Sequence, residues 1–199
     1  MIEPLVLSAP FGNYLSAPGI TSTLGTFTLA HRAGIFGRIW RITKTVRYSP
    51  LLDAWTNRLG LPNPGIEFAL DPQRGGRKLP GRLLSIHGFN LDEWYELLDR
   101  VAAVPTERGP AGIELNVSCP NVTDTPVDYT GLFRRARETN YPVIVKIPPV
   151  SWEGIVDAAL SAEVSMIHAT NTLPVSQGGL SGKPLQSISL RVVESLYRR

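Results

Sequence analysis

The feature that most constrains this chain is a repeated change of hydrophobic period. Short apolar runs rich in β-branched residues occur at Pro4–Ser8, Gly37–Thr43, Arg82–Ile86, Gly112–Val117, Val143–Ile147 and Val164–Ala169. Between and after them lie stretches of helical spacing, at Ser22–Ala33, Gly65–Leu70, Leu91–Val104, Tyr129–Thr139, Trp152–Ala162 and Ser187–Arg199. In the third of these, Asn90 can cap, and Leu91, Trp94, Leu97, Leu98 and Val101 fall on one face. Strands that alternate with helices pair in parallel, because each crossover returns the chain to the same end of the sheet. The Pro- and Gly-rich stretches Leu61–Gly65, Gly75–Gly81 and Gly178–Pro184 read as loops within a single domain over 1–199.

Two architectures satisfy this pattern. An open doubly wound sheet should carry a G-x-G-x-x-G turn after its first strand, but Ser8–Gly12 reads SAPFG. Polar residues gather instead just past several different strands: Lys44, Asn116–Asn121, Lys146 and Asn171. Barrels of eight β-α units build their sites in this way, from the C-terminal ends of several strands. The expected fold class is therefore α/β, of the (β/α)8 TIM-barrel type, with about six of eight β-α units present. Since such barrels typically take about 250 residues, the 199 residues here fall short of a whole barrel.

Composition narrows the function classes. Hydrophobic residues at 43% and charged residues at 19% exclude a disordered chain. The balance of 20 Lys+Arg against 17 Asp+Glu is +3, too mild and too scattered to imply nucleic acid. No apolar run approaches the roughly 18 residues that span a bilayer, so no membrane segment is expected. No charged n-region precedes an apolar core at the N-terminus, so no signal peptide is read. Cys119 is the only cysteine, which points to an intracellular, cytoplasmic setting. With no clustered His, Cys, Asp or Glu at ligand spacing, no metal site is expected.

The most informative segment is Glu114-Leu-Asn-Val-Ser-Cys-Pro-Asn121. Its polar end sets two carboxamides, a hydroxyl and a thiol at one barrel mouth. Carboxamides offer donor and acceptor together, which suits the edge of an amide-containing ring. A thiol, with a free pKa of about 8.5, can act as a base; the alternative is a small buried hydrophobe. Lys146 ends the apolar strand Val143–Ile147 and needs an anionic partner, which could be a ligand or a neighbouring carboxylate. Lys44 follows Ile39–Ile42, and by itself reads as a solvated surface lysine. His168 reads as a packing residue, while His31 and His87 have no assigned place. Gly178-Gly-Leu-Ser-Gly182 can let backbone N–H groups approach a ligand closely, although such a loop is common.

Six ordered blocks now carry a resemblance: Thr43–Thr45, Asn57–Asn63, Glu114–Asn121, Val145–Pro149, Ala169–Thr172 and Gly178–Leu185. Together they resemble the dihydroorotate dehydrogenases, FMN-containing (β/α)8 enzymes of pyrimidine biosynthesis. ELNVSCPN and GGLSGKPL are the most specific. The resemblance implies that Cys119 is the base that takes a proton from C5 of dihydroorotate while hydride leaves C6 for flavin N5. Cysteine at this position is shared with the soluble members. The substrate ring and its carboxylate would be held by Lys44, Asn57, Asn116, Asn121, Asn171 and Thr172, helped by the backbone of Arg58, Leu59, Gly60 and Leu61. FMN would contact Lys44, Thr45, Asn116, Lys146, Thr170 and Gly182, with Lys146 stabilising the charge that develops on reduction.

Two departures accompany these matches. Arg47-Tyr-Ser-Pro50 stands where the family usually has a GNPxPR-like segment that covers the pocket. The matched blocks end in the sixth unit, so the last two β-α units and their phosphate-cradling glycines are expected to be missing, leaving open sheet edges. The implied partners are the small-molecule substrate and either a second copy or an electron-transfer subunit, with fumarate, NAD or a quinone as acceptor. A related FMN-dependent oxidoreductase of another pyrimidine and a non-catalytic barrel fragment are the alternative readings.

Overall fold

The computed structural model describes residues 2–32, 35–71, 73, 79–119 and 128–199. Six strands form one parallel sheet in the order β1 (Leu5–Leu7), β2 (Ile20–Phe27), β5 (Leu83–Ile86), β6 (Gly112–Leu115), β7 (Val143–Ile147) and β8 (Met166–Ala169). Among the described residues the helices are α1 (Ile35–Thr45), α2 (Ile66–Leu70), α3 (Leu91–Ala102), α4 (Tyr129–Arg137), α5 (Glu153–Ser161) and α6 (Lys183–Tyr197). A flat sheet of six strands would be roughly 24 Å wide. Yet Ser8, just past β1 at one edge, lies within hydrogen-bonding reach of His168 in β8 at the other, with Oγ 3.4 Å from Nε2. The sheet is therefore curled into a half-barrel.

Burial on both faces explains the strand sequences. Every residue of β5, β6 and β7 is buried, including Glu114 and Lys146, because helices cover the outside while the curl closes the inside. Helix α3 starts where Asn90 accepts a hydrogen bond from the Glu93 N–H at 2.9 Å, and Glu93 in return accepts one from the Phe89 N–H at 3.1 Å. Trp94, Leu97, Leu98 and Val101 of α3 then enter the core, as their spacing predicts. Asp128 caps α4 in the same way, bonding the Gly131 N–H at 3.1 Å, and Leu132, Phe133 and Ala136 pack inward.

The second strand corrects the sequence reading. Ser22–Ala33 was expected as a helix, but Ile20–Phe27 is β2, central in the sheet between β1 and β5. Its threonines suit a pleated position paired on both sides. Gly37–Thr43 was expected as that second strand and instead lies within α1. With the place beside β1 and β5 filled, the Ile39–Ile42 run has no strand partner. It forms a surface helix with Ile39, Trp40 and Ile42 exposed. The Thr45 hydroxyl bonds back to the Arg41 carbonyl at 2.8 Å, within helical spacing.

A second sheet was not expected at all. Strands β3 (Arg47–Ser49), β4 (Ala54–Asn57), β10 (Gly178–Gly182) and β9 (Leu173–Val175) pair antiparallel in that order. The stretch read as a loop at Gly178–Pro184 is therefore β10 running into α6. Its glycines serve this pairing. A Cβ on Gly178 would strike the Asn57 carbonyl oxygen, and one on Gly182 would lie 2.6 Å from that of Asp53.

The core dominates stability. Leu115 of β6 is fully buried within it, so Leu115→Ala should cost about 2–5 kcal/mol, measured as a lower urea midpoint with unchanged slope.

Candidate functional site

Parallel strands in register end together, and this places the polar strand ends. Leu115 pairs with Val145, and Lys146 pairs with His168. Asn116, Lys146 and Asn171 consequently rise from three neighbouring strands at the C-terminal end of the half-barrel. There they border a cavity of about 270 Å³, whose wall also includes Cys119, Thr172, Asn57, Leu59, Gly60 and Leu61.

The amide groups form one web. The Asn171 Nδ2 donates to Asn116 Oδ1 at 2.9 Å and to the Ser118 carbonyl at 3.0 Å, while Asn171 Oδ1 accepts from the Thr172 N–H at 2.9 Å. Asn116 Nδ2 donates to Thr26 Oγ1 at 2.9 Å, tying β6 to β2. The Ser118 hydroxyl donates to the Lys146 carbonyl at 2.9 Å and so joins the loop carrying Cys119 to β7. His87 lies wholly buried past β5, and its Nδ1–H donates to the Asn116 carbonyl at 2.8 Å. These bonds fix both carboxamides before any ligand arrives. Each Oδ1 still has an acceptor lone pair to offer.

The loop Asn57–Asn63 forms the opposite wall, and Asn63 holds it. Its buried carboxamide accepts from the N–H groups of Thr28 at 3.1 Å and Gly65 at 2.8 Å, and donates to Thr28 Oγ1 and the Leu61 carbonyl, each at 2.9 Å. Arg41 of α1 donates to the Leu59 carbonyl at 2.9 Å. Leu61 itself takes φ 54, a left-handed conformation that the Asn63 bonds stabilise.

Several expected site residues lie elsewhere. Lys44 was placed at a strand end, but it sits exposed in the last turn of α1, its Nζ 4.7 Å from the centre of the Trp40 ring. Thr45 turns back onto its own helix, and neither residue lines the cavity. Arg58 is exposed and bonds the Ser176 carbonyl. Thr170 bonds Ser189 of α6 at 2.7 Å, and Gly182 is spent on the pairing of β10 with β4. Asn121 lies outside the described residues. The wall also contains Ala9, Pro10, Asn13, Tyr14, Gly25, Thr26 and Phe27, which sequence reasoning missed. Asn13 grips Gly25, donating to its carbonyl at 2.6 Å and accepting from its N–H at 2.9 Å. The threonine-rich run was the signal that could have found this wall, had it been read as a strand.

Beneath the cavity, Glu114 is fully buried, and its Oε2 accepts from His168 Nδ1 at 2.6 Å. Burial alone would raise its pKa. The His168 hydrogen bond and the Lys146 charge outweigh that and lower it from the ordinary 4.5 to about 2.

A half-barrel with a polar cavity at its strand ends has the architecture of the TIM-barrel class. The chain belongs to the dihydroorotate dehydrogenase family, whose sequence pattern matches residues 24–199. It is 30% identical to the catalytic subunit of dihydroorotate dehydrogenase B (NAD(+)) from Desulforudis audaxviator, over 94% of this chain and 66% of that protein. It is 32% identical to a putative dihydroorotate dehydrogenase A (fumarate) from Pediococcus pentosaceus, over 71% of this chain and 55% of that one. A solved structure of the Eimeria tenella dihydroorotate dehydrogenase in complex with ferulenol shares the fold, with a TM-score of 0.59 at 18% identity, over 90% of this chain and 59% of that one. The chain thus spans about half to two thirds of the length of these relatives.

Glu114 gives the fold a pH dependence of defined sign. Its folded pKa lies below the unfolded value, so the stability it adds is present above pH 4.5 and is lost as pH falls from 4.5 to about 2. The full loss should approach about 3 kcal/mol, of which roughly 2 kcal/mol falls between pH 6 and pH 3. Urea midpoints at pH 6 and pH 3 measure it, and Glu114→Gln should flatten the difference.

Proposed function

We propose that this chain carries the ring-binding half of an FMN-dependent site that oxidises dihydroorotate to orotate. The observation that carries this reading is the meeting of Cys119, Lys146, Asn116 and Asn171 around one cavity. The donor set suits a flat heterocycle: a buried ammonium, two fixed carboxamides and a half-buried thiol. When bound, FMN supplies the hydride acceptor.

The chain's own residues do the rest. Cys119, as thiolate, takes the proton from C5 of the substrate as the hydride departs from C6, so the ring loses one proton and one hydride, two electrons and two protons in all, and the thiolate is restored when the thiol gives its proton to solvent. Asn116 and Asn171 orient the ring, and Thr172 and the Leu59–Leu61 backbone close its other side. The Lys146 ammonium answers negative charge that develops at the flavin edge. Thr170 and Gly182 do not line this cavity. Lys44 on α1 would have to be recruited by movement.

The Desulforudis relative is named a catalytic subunit, which supports an electron-transfer subunit as partner. The Pediococcus relative is named for fumarate, which supports a stand-alone enzyme instead.

The purified chain should take up added FMN, seen as quenched flavin fluorescence, and anaerobic dihydroorotate should bleach it. Cys119→Ala should slow that bleaching at least roughly 10²-fold while FMN affinity stays within threefold. A chain that takes up no FMN overturns the reading, as does bleaching by dihydrouracil but not by dihydroorotate.

A further inference from the structure

The proposed chemistry makes no use of Glu114 or His168, although the two form the most deeply buried ionic contact among the described residues. A carboxylate with no exposure is costly unless its oxygens are compensated. Here Oε2 has the His168 bond, but Oε1 has no hydrogen-bond partner among the described residues. The positive charge of Lys146 on the adjacent strand compensates it further, with a smaller contribution from the Ser85 hydroxyl of β5.

The need is mutual. Lys146 is only 8% exposed and stands in an apolar strand, so burying its ammonium is costly without a nearby negative charge. Among the described residues, the following titratable groups stand on the elements packed around it. Glu114 comes from β6, His168 from the paired position on β8, and Cys119 from the loop past β6, with His87 beyond β5 turned to the Asn116 carbonyl. Among these described groups, Glu114 is the one carboxylate. His168 is fixed by both ring nitrogens. An ionised carboxylate can only accept, so Nδ1 carries a proton, and Nε2 faces Ser8 Oγ at 3.4 Å. The ring therefore pins the carboxylate from the side of β8, opposite its own strand neighbour on β5.

We infer that Glu114 is a positioning residue: the buried counter-charge, anchored by His168, that holds the Lys146 ammonium at the cavity floor. The arrangement delivers a cation to the cavity without placing an anion in it. Any ligand with electron-rich edges gains from that, so the inference stands whether or not the ligand is a flavin.

The test uses the full chain without ligand and reads the charge on Lys146 directly. Acetic anhydride modifies amines and spares ammonium groups. Labelling at pH 8 is followed by peptide mass spectrometry, with exposed Lys183 as the internal reference. Glu114→Gln removes the counter-charge and should raise the Lys146 to Lys183 labelling ratio at least tenfold, in protein shown to be folded by its melting curve. Glu114→Asp keeps the charge and should stay within threefold of the parent. A ratio unchanged in folded Glu114→Gln overturns the inference, because a purely structural carboxylate would alter melting and leave Lys146 labelling alone. Should Glu114→Gln not fold, the parent protein decides. Lys146 labelling as fast as Lys183 there means that the ammonium is not held, and overturns it too.

Discussion

Parallel pairing of β5, β6, β7 and β8 is the constraint on which the rest of this molecule depends. Register between the strands is set where both faces are buried, since a one-residue slip would turn every inward side chain outward. With Leu115 opposite Val145 and Lys146 opposite His168, the inner face carries Glu114 one layer below the rim. Asn116 and Lys146 then stand at the rim itself. The site inherits its geometry from this register and needs no further loop to position its cation. The same register obliges the fold to bury a carboxylate and an ammonium near one another, a combination that is stable only while both remain.

The opposite wall is built by different means. There the chain follows no strand, and its carbonyl and N–H groups would be unsatisfied without Asn63, which acts as a backbone surrogate for Thr28, Leu61 and Gly65. The small antiparallel sheet continues that wall, with β4 leading into the loop and β10 bound to β4. Two glycines permit the close approach of those strands. One side of the cavity is thus set by sheet register and the other by a carboxamide and a hairpin. Arg41 of α1, through the Leu59 carbonyl, fastens the surface helix to that second side.

Much of this was legible in the sequence because the residues concerned answer to local rules. The apolar runs at Leu83–Ile86, Gly112–Leu115 and Val143–Ile147 can only be buried strands, and the Asn90 cap with its inward face can only start a helix. The strand ends announced Asn116, Cys119, Lys146 and Asn171 because polar residues directly after an apolar run must emerge at one rim. Lys44 misled for the same reason: Ile39-Trp-Arg-Ile42 has the composition of a strand, and a strand end was inferred for the lysine that follows it. Ser22–Ala33 misled in the opposite sense, because Ser22 and Thr23 are buried in the sheet although their hydroxyl groups look polar in the sequence.

By itself, then, the amino-acid order determined the α/β alternation, the placing of the chemistry at the C-terminal ends of strands, and the membership of this chain in its family. Those follow from periodicity and from short motifs, which act over neighbouring residues. Only the tertiary structure decided which run occupies the second place in the sheet, and that Lys44 stays on the surface. It alone set Glu114 under Lys146 with His168 from a strand 54 residues away. Competition for a place in a sheet, and compensation between buried charges, are settled between segments far apart in the chain, and no local pattern encodes their outcome.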